Sequence, residues 1–334
     1  MSARKTIYPV FVPHLGCPYA CVFCNQREIT GREASEAMEE LNELFRRGSG
    51  DAELAFYGGS FTAIPPREQE CYLEKAARLM ESGVITSIRL STRPDAVDGE
   101  TISRLKEYGV QTVELGAQSM CDRVLLTSGR GHCAQDVRDA SVLIKRAGLK
   151  LVLQMMTGLP GDDEAGAEYT ARELCRLGPD AVRIYPTVVV RGTQLEKLWR
   201  DGLYREHTVE EAVTTCAKIL PIFEAEGIPV IRLGLNPTKE LSEGAALAGA
   251  YHPALGELVR SRMLRNQAEK LLIDSGCEGK TVRIMTPPQI FSQMIGQKKC
   301  NLSWLTERFS LHDISVRSVQ GLQDIEIKIL QTEP

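Results

Sequence analysis

Gly16-Cys17-Pro18-Tyr19-Ala20-Cys21-Val22-Phe23-Cys24, read with the apolar run Thr6–Val12 just ahead of it, places three cysteines on a short loop that follows a first strand. The spacing C-x-x-x-C-x-x-C is informative. Four protein ligands close a structural zinc site or fully ligate a cluster, whereas three close thiolates leave one iron of a 4Fe-4S cube without a protein ligand. An iron left open in this way can bind a substrate. Zinc is the competing reading, and it needs a fourth ligand, for which His14 is the nearest candidate.

Downstream of this loop, β-branched or apolar runs recur near Glu53–Tyr57, Ser87–Ser91, Thr112–Leu115, Leu151–Met155, Ala181–Tyr185 and Pro229–Leu233. Helical patterns lie between them. Ile102, Leu105 and Tyr108 share a face before Gly109, and Val137, Ala140, Ile144 and Ala147 share one before Gly148. Strand and helix in alternation predict βαβ units and an α/β fold: a parallel sheet curved into a partial or near-complete TIM-like (β/α) barrel. The cysteines then lie beyond the C-terminal end of the first strand, where parallel α/β enzymes keep their chemistry. Three regions are expected: a barrel domain over 1–235, a helical linker region over 236–279 centred on Pro253–Ser275, and a small α+β domain over 280–334. The last reads as βααββ, with strands Thr281–Met285, Ile314–Val319 and Asp324–Leu330 and helices Pro287–Ile295 and Asn301–Phe309.

Composition narrows the class. With 334 residues and 43% hydrophobic content the chain can bury a large core, and its net charge of -4 offers no general attraction to nucleic acid or anionic membrane, local patches aside. The N-terminal Met-Ser-Ala-Arg-Lys shows no apolar leader and no run reaches a membrane-spanning length, so a cytoplasmic location without membrane contact is expected. The other seven of the ten cysteines are scattered without paired spacing, which argues against a disulfide framework.

The cysteine loop, with Phe23 before its last cysteine, resembles the signature of the radical S-adenosylmethionine (radical SAM) superfamily. Phe56-Tyr57-Gly58-Gly59-Ser60 is similar to that family's glycine motif. Further segments occur in order: Thr92-Arg93-Pro94-Asp95, Val113–Ser119, Arg130-Gly131-His132, Met155–Gly161 and Ile184–Thr193. Together, over roughly 5–235, they resemble the radical-SAM domain of the Elongator catalytic subunit and, more distantly, oxygen-independent coproporphyrinogen III oxidases. The resemblance implies an enzyme with a 4Fe-4S cluster on Cys17, Cys21 and Cys24, where the open iron chelates the methionine end of S-adenosylmethionine. It places Gly58, Gly59 and Ser60 near the methionine amine, Gln118 and Gln154 near the ribose or adenosyl group, and Arg130 near the carboxylate. It further implies an electron donor such as a flavodoxin or ferredoxin. The residue types suit these roles, since a guanidinium binds a carboxylate bidentately and neutral amides serve hydroxyls without burying another charge.

Three departures stand out. The Elongator subunit spaces its first two cysteines further apart; relatives carry a glutamate where this chain has Ser91, a further candidate cofactor contact; and the sequence closes at Pro334 with no room for an acetyltransferase domain, so the resemblance does not carry the acetyl-CoA reaction with it. In the last region, Pro288–Leu305 resembles the KH-domain run in which an I-G-x-x-G loop clamps single-stranded RNA, with Lys299 in place of the second glycine. Gly296, Lys298 and Lys299 are the candidate RNA contacts, and RNA, with tRNA foremost, is the expected substrate class. A structural cap on the barrel is the other reading of this module. A radical SAM enzyme acting on a small molecule or peptide and a non-catalytic iron-sulfur protein are the other readings of the chain.

Overall fold

Strand and helix alternate through most of the chain. The computed structural model describes residues 6–12, 17, 20–24, 34–47, 50, 52–237 and 241–330. His14, the alternative zinc ligand, lies outside the described residues. In chain order the elements are β1 (Thr6–Val12), α1 (Ala34–Arg47), β2 (Ala52–Gly58), α2 (Pro66–Glu81), β3 (Ser87–Thr92), α3 (Gly99–Glu107), β4 (Val110–Gln118), α4 (Asp122–Thr127), α5 (Ala134–Arg146), β5 (Lys150–Thr157), α6 (Glu164–Arg176), β6 (Ala181–Pro186), β7 (Val188–Val190), α7 (Gln194–Arg200), α8 (Val209–Ala225), β8 (Val230–Leu233), β9 (Ala246–Gly249), α9 (Leu255–Ser275), β10 (Thr281–Thr286), α10 (Phe291–Ile295), α11 (Cys300–Arg308), β11 (Asp313–Ser318) and β12 (Glu326–Leu330). Local chemistry sets several boundaries. The Asp98 and Asp163 side chains accept from the amides of Thr101 and Gly166 and so cap α3 and α6.

Seven strands form one parallel sheet in the order β1-β2-β3-β4-β5-β6-β8, with β1 and β8 left as its edges. Leu54, Phe56, Ile88, Leu90, Val113, Leu115, Leu151, Leu153, Val182 and Ile184 are all buried and alternate along their strands, so one face of the sheet is the apolar core. The opposite face carries Glu53, Tyr57, Arg89, Glu114, Gln154 and Arg183 in the intervening positions. That face must be concave. In a flat sheet at roughly 4.8 Å per strand, β2 and β6 would stand ~19 Å apart, yet Arg183 on β6 donates to the Tyr57 hydroxyl on β2 at 3.0 Å. The sheet is thus an open partial barrel with a polar interior. Short β7 and β9, absent from the sequence reading, pair antiparallel outside it.

The chain divides into two compact units, 1–208 with 221–251 and 209–220 with 252–334, and the division runs through α8 at Pro221. This differs from the expected boundaries, because α9 belongs to the C-terminal unit instead of forming a linker. The reason is packing: Ala268 and Leu272 of α9 share a core with Val282, Ile284, Met294, Leu305 and Ile325. In that unit β10 lies between β11, which it pairs parallel, and β12, which it pairs antiparallel. The βααββ order is as the sequence predicts, with α10 shorter than expected and preceded by a 3-10 turn over Pro288–Ile290.

Candidate active site

The cysteine loop is fixed by main-chain bonds and one small residue. Val22 N–H donates to the Ser128 carbonyl at 3.0 Å, and Leu195 N–H donates to the Val22 carbonyl at 2.7 Å. Val22 is buried with Val189, Leu195 and Tyr204, while Phe23 packs against the same cluster. Gly129 allows the approach: a Cβ there would stand 3.3 Å from the Ala20 carbonyl oxygen, and its φ of +64° suits glycine. Cys21 is buried, and Cys17 and Cys24 are partly so. Among the described residues no three His, Cys, Asp or Glu side chains stand together as a metal-holding group, so the three thiols share a loop without being drawn to a common point.

Around this loop gather the C-terminal ends of β2, β3 and β4. Thr92 at the end of β3 ties to the turn after β2: its hydroxyl lies 2.8 Å from Ser60 Oγ and 2.5 Å from Thr62 Oγ1. Ser60 Oγ also accepts from Arg93 N–H at 3.0 Å. The Ser60 side chain therefore serves the scaffold, and Gly58 just before it adopts φ +102°, a conformation that suits glycine. Ser91 sits on the concave face with Glu114 as its register partner.

Arg130 and Gln118 converge beside Gly116. A Cβ on Gly116 would stand 2.9 Å from Gln118 Nε2 and 3.2 Å from Arg130 Nη2. Arg130 is 6% exposed, donating through Nη2 to the Gly116 carbonyl at 2.6 Å and through Nη1 toward Cys21 Sγ at 3.4 Å. Gln118 adopts φ +66° at a bulge between β4 and β5. Arg130 Nε and Gln118 Oε1 are both buried without a hydrogen-bond partner. Such orphaned groups are costly unless a ligand completes them. One orphaned donor and one orphaned acceptor, set beside the loop that carries Cys17, Cys21 and Cys24, suit S-adenosylmethionine held next to an iron-sulfur cluster whose ligand types that loop supplies.

His132, also buried, rests its Nε2 3.3 Å from the Ala117 carbonyl oxygen, and burial together with the Arg130 charge pushes its pKa down to about 4. The imidazole is neutral at physiological pH.

Gln154 is not gathered at the cysteine loop. It donates to Glu114 Oε2 at 3.0 Å within an ion network on the concave face. Glu114, fully buried, also accepts from the Tyr57 hydroxyl at 3.0 Å and from Arg89 Nη1 at 2.8 Å, and pairs with Arg183 Nε at 2.9 Å. Glu53 pairs with the same Arg89 at 2.6 Å. Burial and the Glu114 charge push the Tyr57 phenol well above its ordinary value, so it stays protonated. Five strands are cross-linked in this way. The sequence reading missed the network, although charges at alternate positions of otherwise apolar parallel strands are its signal: such strands usually read as continuous hydrophobic runs.

Comparison with known proteins now bears on this geometry. The radical SAM superfamily model matches residues 11–174, and the radical SAM C-terminal domain model matches 179–265. This chain belongs to the radical SAM superfamily. It is accordingly an enzyme, and its cofactors are a 4Fe-4S cluster and S-adenosylmethionine. It is 28% identical over 243 residues to a protein named tRNA uridine(34) acetyltransferase from Methanocaldococcus jannaschii, covering 59% of this chain and 45% of that protein. It is 28% identical over 248 residues to human Elongator complex protein 3, covering 68% of this chain and 44% of the relative. The chain thus spans less than half the length of these curated relatives. The solved structure of archaeal Methanocaldococcus infernus Elp3 lacking residues 1–46 matches with a TM-score of 0.61 at 23% identity, covering 79% of this chain and 64% of that one, and shares the fold.

Among the described residues no helix is long and apolar enough to cross a membrane. In the C-terminal unit, Gly296, Lys298 and Lys299 lie on one turn, all at positive φ, with both lysines exposed. The amides of Gly296 and Lys299 are used inside the turn, donating to the carbonyls of Ser292 and Gly296, so the lysine side chains are the turn's outward cationic groups. A groove of about 500 Å³ beside it is lined by Lys299, Leu302, Ser303, Thr306, Glu307 and Ile314.

Proposed function

We propose that Cys17, Cys21 and Cys24 ligate the cluster, that Gly58, Gly59, Gln118 and Arg130 hold S-adenosylmethionine against it, and that the substrate is RNA, with a tRNA foremost. Held there, a reduced cluster and S-adenosylmethionine would supply one-electron reductive cleavage of the cofactor and so the radical chemistry on substrate. The residues bind, orient and exclude water. The observation that carries the cofactor reading is the pair of buried, unpartnered atoms on Arg130 and Gln118 next to Cys21. Arg130 Nε would meet the carboxylate and Gln118 Oε1 a hydroxyl or amine donor. Ser91 and Gln154, which the resemblance also assigns to the cofactor, stand instead beside and within the Glu114 network, and we assign them to orienting the polar wall of the barrel.

For the substrate, the support is the exposed Lys298–Lys299 turn beside a groove, together with relatives whose names specify a tRNA uridine. Exposed cations on a helix-turn-helix suit phosphate, and the acidic total makes the expected affinity modest and salt-dependent. Anaerobically reconstituted protein, reduced and supplied with S-adenosylmethionine, should release 5′-deoxyadenosine, and incubation with cellular RNA fractions should yield a modified nucleoside by mass spectrometry. Replacing both lysines, Lys298→Glu with Lys299→Glu, should weaken binding to a tRNA pool while leaving iron content unchanged. A parent protein that cleaves the cofactor yet binds no RNA at low salt would sink the RNA assignment and favour a small-molecule or peptide substrate.

A further inference from the structure

Two guanidinium groups reach the sulfurs of the cysteine loop. Arg93 Nη1 lies 3.7 Å from Cys17 Sγ and Arg130 Nη1 lies 3.4 Å from Cys21 Sγ, each oriented to donate. Both arginines are buried, at 3% and 6% exposure, so neither is a surface side chain that happens to fold back.

The local sequence explains how they are held. Pro94 starts a 3-10 turn over Pro94–Ala96 that brings Asp95 back beside Arg93. The Asp95 carboxylate then takes Arg93 Nε at 2.9 Å and Nη2 at 3.1 Å, while Nη2 also donates to the Arg130 carbonyl. With that edge occupied, Nη1 is left aimed at Cys17. Arg130 is fixed differently, by the Gly116 carbonyl, and its contacts are a carbonyl and a thiol rather than a carboxylate. One guanidinium is therefore largely charge-balanced and the other is not.

We propose that Arg93 and Arg130 are redox-tuning residues, whose N–H groups bond the cluster-ligating sulfurs of Cys17 and Cys21 and raise the cluster's reduction potential. This rests on the cysteine assignment made above. Reduction adds one electron from an external one-electron donor, with no bond made or broken, and the added negative charge spreads onto the sulfurs. Donors from cationic groups bind the more negative sulfur more strongly, so they favour the reduced form, and more so where water is excluded. Arg130 should have the larger effect because no carboxylate among the described residues pairs with it, and Arg93, paired with Asp95, should act chiefly through its N–H dipole.

The test is an electron-paramagnetic-resonance redox titration with dithionite as reductant, on reconstituted protein without S-adenosylmethionine, so that cofactor binding by Arg130 does not enter. Arg130→Met should make reduction at least tenfold less favourable, a fall of about 59 mV for a one-electron couple. Arg93→Met should shift the potential the same way by less, and Arg130→Lys should fall between parent and Arg130→Met. Asp95→Asn removes a negative charge and keeps both guanidiniums, so it should shift the potential upward. Potentials indistinguishable from the parent in all four variants, at full iron content, would overturn the proposal. If the arginine variants lose iron, Asp95→Asn decides alone, an unchanged or lowered potential overturning it. Should Cys17→Ser, Cys21→Ser and Cys24→Ser each retain a full cluster, the ligand assignment has failed instead.

Discussion

His132 and Asp162 titrate over the same pH range with opposite effects on stability. His132 in the folded chain resists protonation down to about 4, through burial and the Arg130 charge, whereas an unfolded histidine takes up a proton near 6.5. Its contribution is therefore complete above about 6.5 and is lost as pH falls toward 4. Asp162 is the reverse: burial raises its carboxyl to about 6 from 3.8, so its contribution is present at low pH and is lost as pH rises through that window. Each amounts to on the order of 3 kcal/mol at most, and in the parent they largely cancel. Urea unfolding between pH 5 and 7 should show the stability of His132→Gln falling with pH and that of Asp162→Asn rising with pH, relative to the parent; parallel profiles would remove both assignments. Glu114 has a larger effect that is not a matter of pH. It sits fully buried between the partly buried Arg89 and Arg183, so Glu114→Ala leaves Arg183 without its carboxylate and Arg89 with Glu53 alone, and should cost about 3 kcal/mol in the same assay. Neither Glu114 nor its arginines could be assigned from sequence, because a charge in a strand reads as solvated until the curvature that brings β2, β3, β4, β5 and β6 together is known.

At the scale of elements, the turn between α10 and α11 shows what each residue contributes. Gly296 combines φ +77° with ψ 161°, a region that is essentially glycine's, and an added Cβ would meet Cys300 Sγ at 2.6 Å and Asn301 N at 3.1 Å. Asn301 cannot yield, since its amide donates to the Ser261 and Met294 carbonyls at 3.0 and 3.1 Å and so ties α9 to the end of α10. Lys299, by contrast, holds a left-handed φ of +63° on an exposed side chain. Gly296→Ala should therefore destabilise the C-terminal unit by roughly 2 kcal/mol or more. Lys299→Gly should change stability by less than about 1 kcal/mol, because relief of left-handed strain offsets the added freedom of the unfolded chain. Thermal unfolding of both variants checks the contrast, and equal losses would refute it. The sequence predicted a glycine-initiated turn here, between two helices and in a run that resembles the KH I-G-x-x-G loop. It could not show that the turn consumes its own amides, which depends on the path the chain takes into α11.

Over the whole molecule, two compact units each carry their own core, and α9 belongs to the second. Leu272→Ala, in the fully buried middle of that core, should lower the stability of the C-terminal unit by about 2–5 kcal/mol while cluster content stays at the parent level. Loss of iron in step with unfolding would show instead that the two units melt as one. What the sequence determined by itself was the alternation of strand and helix, the parallel sheet and the cysteine loop that follows its first strand. Those are carried by local signals: alternation of apolar positions, helix caps and stops, and the spacing of three thiols on nine consecutive residues, Gly16–Cys24. The tertiary structure alone decided which residues meet. Arg93 reaches Cys17 and Arg130 reaches Cys21 across 76 and 109 positions of sequence, and Glu114 gathers partners from four other strands. The physical reason is that local conformation is set by neighbours in the chain, whereas hydrogen bonds and ion pairs form wherever curvature and burial place their atoms within reach.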